Sequence, residues 1–85
     1  MAPESESAQI AARVRNKIAA GVLPSEPPMK LWAGRGTDLR CAACDLSITA
    51  ADIEYETEHS GRRVLRFHQA CFTAWDAQRV RDRAS

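Results

Sequence analysis

Cys41-Ala42-Ala43-Cys44 and, twenty-three residues further on, His68-Gln69-Ala70-Cys71 are the two stretches around which the rest of this chain has to fold. Each pairs two metal-ligating residue types across two spacers, and together they make a Cys3His donor set. Such a set closes a tetrahedral zinc site with no position left for water. A short turn between Cys41 and Cys44 lets both sulfurs and nearby backbone N–H groups converge on one ion. His68 and Cys71, three apart, share one face if both lie in the first turn of a helix, and a helix N-terminus favours a thiolate there. A lone Cys-X-X-Cys also suits a redox dithiol. Here a second pair follows, a fourth thiol is missing and no strand–helix–strand pattern flanks the motif, which argues against redox chemistry. The expectation is one structural zinc ion held by Cys41, Cys44, His68 and Cys71.

Between the two pairs, Thr49-Ala50-Ala51-Asp52 reads as a turn capped by Thr49. Ile53-Glu54-Tyr55-Glu56-Thr57-Glu58-His59 then alternates, with Ile53, Tyr55 and Thr57 on one face and three glutamates on the other. Ser60-Gly61 supplies a reversal and Arg62-Arg63-Val64-Leu65-Arg66-Phe67 returns as a second strand, so glutamates and arginines can pair across a hairpin on a solvated face. From His68 the pattern turns helical, with Cys71, Phe72 and Trp75 on one side and Arg79, Arg81 and Arg83 in the last turns, where the helix dipole favours cations.

Ahead of the first pair, residues 1–7 read as a frayed acidic start. The run from Glu4 or Ser5 to Ala20 has helical character, with Ile10, Val14 and Ile18 recurring every four residues. Ser5 or Ser7 can cap this helix, Glu4 and Glu6 suit its positive end, and Gly21 suits its stop. A free helix of this length is marginal in water, so its apolar stripe must dock, and the finger is the expected surface. Pro24, Pro27 and Pro28 then impose an extended connector. Trp32-Ala33-Gly34-Arg35-Gly36-Thr37-Asp38 reads as a glycine-rich loop; no Gly-Lys-Ser/Thr follows to make it a phosphate cradle. The expected division is 1–21, an amphipathic helix; 22–38, an extended linker and loop; and 39–85, the zinc finger.

These ligand spacings resemble the first zinc module of a LIM domain, in which two cysteines, a hairpin, a histidine and a cysteine follow in that order. The resemblance covers roughly Cys41 to Trp75, and Phe67-His68 with Cys71-Phe72 is similar to the family's aromatic-flanked ligand pair. It implies a single treble-clef zinc finger, similar to the one found in small bacterial proteins. No cysteine follows Cys71, so only the single-finger architecture is carried over. The fold class expected is a small α+β zinc-stapled domain: N-terminal helix, extended Pro-rich linker, zinc knuckle, β-hairpin and C-terminal helix, treble-clef-like.

Eighty-five residues make one thin domain, and a chain this short commonly needs a metal or disulfide to supplement its core. Three cysteines cannot all pair within one chain, and reduced clustered thiols point to metal in a cytoplasmic protein. No apolar stretch is long enough to span a bilayer, and Met1-Ala2-Pro3-Glu4 does not open a secretory signal. Arginine outnumbers lysine ten to two, a bias that suits a GC-rich bacterial genome.

His59, weighed against His68 as the histidine ligand, reads instead as a solvent-exposed residue of the hairpin turn, since taking it would leave His68 and Cys71 without a shared role. Trp32 and Trp75 read as core residues in preference to base-stacking platforms. Catalysis is not expected: four protein ligands close the zinc site, and Asp45 and Asp52 make no recognisable acid–base pair. A monomeric protein-interaction module with an unidentified protein partner is the leading expectation. The alternative is a nucleic-acid-binding finger that meets phosphates with Arg62, Arg63, Arg66, Arg79, Arg81 and Arg83, against which near-neutral net charge weighs.

Overall fold

In the computed structural model the chain runs α1 (Pro3–Ala19), β1 (Lys30–Arg35), β2 (Ile53–His59), a 3-10 turn (Ser60–Arg62), β3 (Arg63–His68) and α2 (Gln69–Ala84). The structure describes the backbone of residues 3–84 and the side chains of residues 8–82. Helix α1 starts at Pro3, a residue whose fixed φ suits the first turn. Ser5 and Ser7 therefore fall inside the helix instead of ahead of it, and their side chains, with those of Glu4, Glu6 and Arg83, lie outside the described residues. The stop is as expected. Gly21 sits at φ 78°, Val22 N–H donates to the Lys17 carbonyl at 2.8 Å and Gly21 N–H to that of Ile18 at 3.1 Å. That pair of bonds is a Schellman motif, which needs a left-handed residue where glycine stands.

The apolar stripe of α1 docks on the rest of the chain. Val14 is fully buried in the core with Leu23, Ile48, Phe67 and Trp75, and Ile10 and Ile18 pack against it. Beside the stripe, Lys17 Nζ donates to the Ala42 carbonyl and to both carboxylate oxygens of Asp45, each at 2.9 Å. The helix is thereby tied to the loop between the first two cysteines.

The proline-rich connector is part of the core. Leu23 is buried, and the Trp75 indole N–H donates to the Pro24 carbonyl at 2.8 Å. Trp75 stacks on Phe67 with ring centres 5.2 Å apart and meets His59 edge-on at 5.8 Å, while the Arg79 guanidinium carbon lies 5.5 Å from its ring centre. Buried aromatics in such contacts contribute beyond their area.

The sheet has order β1-β2-β3, antiparallel throughout. Its third strand corrects the sequence reading: residues 30–35, read as connector and glycine-rich loop, pair with β2 from Lys30↔Glu58 to Arg35↔Ile53. Trp32 on this edge strand is half exposed and does not join the core. Gly36 explains how β1 leaves the sheet. A Cβ built there would lie 1.9 Å from the Thr49 carbonyl oxygen, so only glycine lets these two backbones pass.

The β2–β3 hairpin follows the sequence reading in register but not in every face. Glu56 stands opposite Arg66, whose Nη2 lies 3.7 Å from it and whose Nε lies 3.2 Å from Glu54. Glu54 was expected on a solvated face, yet it is buried, its Oε1 accepting from the Thr37 amide at 3.1 Å and hydroxyl at 2.8 Å. Buried carboxylates persist when hydrogen-bonded in this way. Ile53, expected on the inner face, is half exposed at the sheet's end. His59 is the larger correction. It closes β2, is 6% exposed and shares a 2.7 Å hydrogen bond with the Thr57 hydroxyl.

Candidate metal centre

Residues 40–47 form a tight loop closed by an isolated bridge between Arg40 and Ser47. Cys41 N–H donates to the Leu46 carbonyl at 2.8 Å and Asp45 N–H returns to the Cys41 carbonyl at 3.0 Å. Asp45 adopts φ 69°, a left-handed turn that Asp tolerates better than most side chains. This curl leaves the Ala43 amide 3.4 Å from Cys41 Sγ, an N–H aimed at sulfur as a thiolate requires. The Ala42 amide donates to the Arg66 carbonyl at 2.7 Å, which ties the loop to β3.

The other two donors come from the junction of β3 and α2. His68 is the last residue of β3 and Cys71 lies in the first turn of α2, so the two do not share a helix as the spacing suggested. The strand-to-helix corner nevertheless brings them to the loop. One ligand atom from each of Cys41, Cys44, His68 and Cys71 lies within 4.8 Å of all the others. His68 Nδ1 is 3.4 Å from Cys44 Sγ and 3.9 Å from Cys71 Sγ. In a tetrahedral site with the usual zinc–sulfur and zinc–nitrogen lengths, two donor atoms stand about 3.5–3.8 Å apart. The four residues could hold one metal ion.

The tautomer of His68 follows from its other nitrogen. Nε2 lies 3.0 Å from the Ser47 carbonyl oxygen, which can only accept, so Nε2 carries the proton and Nδ1 presents its lone pair to the sulfurs. A metal-ligating histidine commonly has its second nitrogen fixed by such a bond. Asp52 is close by, 3.8 Å from Nε2, but its carboxylate is occupied with the Thr49 amide and hydroxyl at 2.9 and 3.0 Å. That pairing is the turn read at Thr49. Asp45, the other carboxylate near the motif, belongs to Lys17, whose ammonium holds its carboxyl below the usual range.

Three thiols this close cannot ionise independently. The hydrogen bond from Cys71, with the amides of Cys44, His68 and Ala43, brings Cys41 down to about 4 against the opposing effect of burial. Cys71 is driven up, first by that same hydrogen bond and then by burial, and Cys44 is raised chiefly by burial. The three thiols titrate as one coupled group, in which the first to ionise holds the others protonated. A bound divalent cation would supply the charge that lets the other two thiols give up their protons.

Cys41 and Cys71 are buried, whereas Cys44 and His68 are partly open to a cleft of about 740 Å³ between α1 and the loops, rimmed by Ile10, Arg13, Leu46 and Ile53. All four sequence-read donors meet at one point. Sequence reasoning missed Lys17, which braces the knuckle, and the Ser47 carbonyl, which orients His68. A backbone acceptor carries no residue signature, so nothing in the sequence marks Ser47. Compared with protein-family models, with characterised proteins and with solved structures, the chain matches none. Among the described residues, no helix is long and apolar enough to cross a membrane.

Proposed function

We propose that this protein is a zinc-stapled protein-interaction module, in which the ion is structural and the folded surface carries the activity. The observation behind the zinc reading is the convergence of Cys41, Cys44, His68 and Cys71 with the His68 Nδ1 lone pair turned inward. Three cysteines and a histidine at tetrahedral spacing suit zinc, and four protein ligands leave no coordination position for a substrate or a reactive water. The order of knuckle, hairpin and helix, with ligands from the loop and from the helix start, supports a treble-clef-like finger. A monomer with its N-terminal helix folded back onto that finger is the form we infer.

The arginines favour a protein partner over nucleic acid. Arg66 is engaged by Glu54 and Glu56, Arg79 by Asp76 at 2.6 Å, and Arg63 donates to the Val22 carbonyl. Among the described residues, at least three of the cations that could have met phosphates are thereby held by the fold, which weakens the electrostatic footprint. Native mass spectrometry of the purified chain tests the metal: one zinc per chain is expected, and a folded metal-free chain would overturn the reading. Titration with labelled duplex DNA and single-stranded RNA at physiological salt tests the partner class. Salt-sensitive micromolar binding there would favour the nucleic-acid alternative.

A further inference from the structure

β1 is bonded on one side only. In the order β1-β2-β3 it is the outermost strand, all six of its residues are exposed, and no backbone bond is made along its far side among the described residues. An open edge is a template for another strand, and folded proteins usually guard it with a central lysine, a proline, a bulge or an overlying loop. β1 has none of these in its middle: Leu31-Trp32-Ala33-Gly34 is apolar, and Leu31 and Trp32 are each 47% exposed on opposite faces. Gly34 beside Trp32 leaves a hollow of about 390 Å³ on the outer face, room for a side chain from a neighbouring strand, and the Glu54 and Glu56 carboxylates that help line it are engaged by Arg66.

The charges say what kind of strand fits. Lys30 and Arg35 stand at the two ends, and neither lies within ion-pair distance of a carboxylate among the described residues, although Glu58 faces Lys30 in register. A second copy of β1 in full antiparallel register would set Lys30 against Arg35 twice, like charges directly opposed, which is destabilising. A segment with carboxylates at both ends and apolar residues between them meets the two end cations and the apolar middle of this edge.

We propose that β1 is a strand-addition site for an extended, acidic-flanked segment of a partner protein, which pairs antiparallel with Lys30–Arg35 and packs against Trp32. Backbone bonds supply affinity in this mode and alternate side chains supply selectivity. The proposal rests on the reading of the protein as an interaction module and names the surface and partner chemistry it would use.

The test uses the intact 85-residue chain, metal-loaded, and two capped synthetic peptides, Glu-Thr-Val-Tyr-Val-Glu and Lys-Thr-Val-Tyr-Val-Lys, followed by amide NMR. The acidic peptide is expected to slow hydrogen exchange along β1, to shift the Trp32 indole signal and to bind at least about fivefold tighter than the lysine peptide, as two reversed cross-strand charge pairs imply. The double variant Lys30→Glu with Arg35→Glu, altered only at exposed positions, should reverse that preference. Equal binding of both peptides, or no β1 protection at millimolar peptide, overturns the proposal. Concentration-dependent protection of β1 without peptide also overturns it, in favour of a second copy. Zinc content measured on the same sample reports separately on the metal: a protein with one zinc that ignores the acidic peptide loses strand addition and keeps its zinc staple.

Discussion

His68 hangs from the carbonyl of Ser47 by a 3.0 Å bond, and that bond decides which imidazole nitrogen faces the three thiols. His68→Ala removes a donor outright. Loss of a partner that only orients a ligand commonly costs 10–100-fold in metal affinity, so loss of the ligand should cost at least about 100-fold. Competition against a chromophoric chelator measures this, and an unchanged affinity would remove His68 from the site.

Chelation should do more than empty the site. The four ligands join the 40–47 loop to the β3–α2 corner, and much of the folding free energy of such small modules is metal-binding free energy. A strong chelator is expected to abolish the near-ultraviolet signal of Trp75 and to return it when zinc is restored. A signal indifferent to chelator would mean that the core stands without the ion.

His59 should matter to stability and not to metal. It is buried, bonded to Thr57 and edge-on to Trp75. His59→Ala leaves the Thr57 hydroxyl unpaired and opens a gap against the indole, a loss of about 1–3 kcal/mol. Urea denaturation reads the loss, while zinc stoichiometry should stay at the wild-type value.

The same residue gives a pH signature. Burial, with the Arg63 charge adding, holds His59 below its ordinary pKa of 6.5, so the unfolded chain takes up this proton more readily than the folded one. Its contribution is complete above the unfolded pKa and is lost as pH falls through the folded one. Between pH 7 and 5 the wild-type midpoint should therefore drop more steeply than that of His59→Gln. Parallel profiles would show that His59 titrates alike in both states.

Gly36→Ala should be among the most damaging small changes in the chain. The added Cβ would meet the Thr49 carbonyl oxygen at 1.9 Å and that of Ile48 at 2.6 Å, both backbone atoms with little freedom to yield. Overpacking of this kind typically costs 1–3 kcal/mol, and a backbone clash belongs at or above about 2 kcal/mol. Thermal melts against the control Gly34→Ala, where nothing lies within 4 Å, separate the clash from the general effect of replacing a glycine by alanine in this segment.

The ligand set was legible because its chemistry demands particular residue types at particular spacings, and the helix stop was legible because Gly21 must take a positive φ. β1 was not. Trp32-Ala33-Gly34-Arg35 has no alternation of its own and becomes a strand because β2 offers it a partner. His59 was misread as a turn residue although the signal was present. The alternation of Tyr55 and Thr57, carried two residues further, puts His59 on the same inner face, and only the position of the reversal hid it. Trp32 and Trp75 are chemically alike, and what separates them is that Trp75 projects from α2 onto Phe67 in the core while Trp32 stands on the edge strand, a property of the assembled layers.

The bond from the Trp75 indole to the Pro24 carbonyl bears on how this protein can be inherited. Segments that fold alone can be shuffled between genes. A transplanted 39–85 segment would carry an indole N–H with no acceptor and a tryptophan face stripped of Leu23 and Val14. Water would take the place of the lost acceptor, but each large apolar side chain left exposed forfeits about 1.5–3 kcal/mol of burial, a large share of what so small a chain can spare. Evolution could splice new material onto either terminus, or lengthen the loop at residues 25–28, but recombination between the helix and the finger would deliver two halves that each lack their floor.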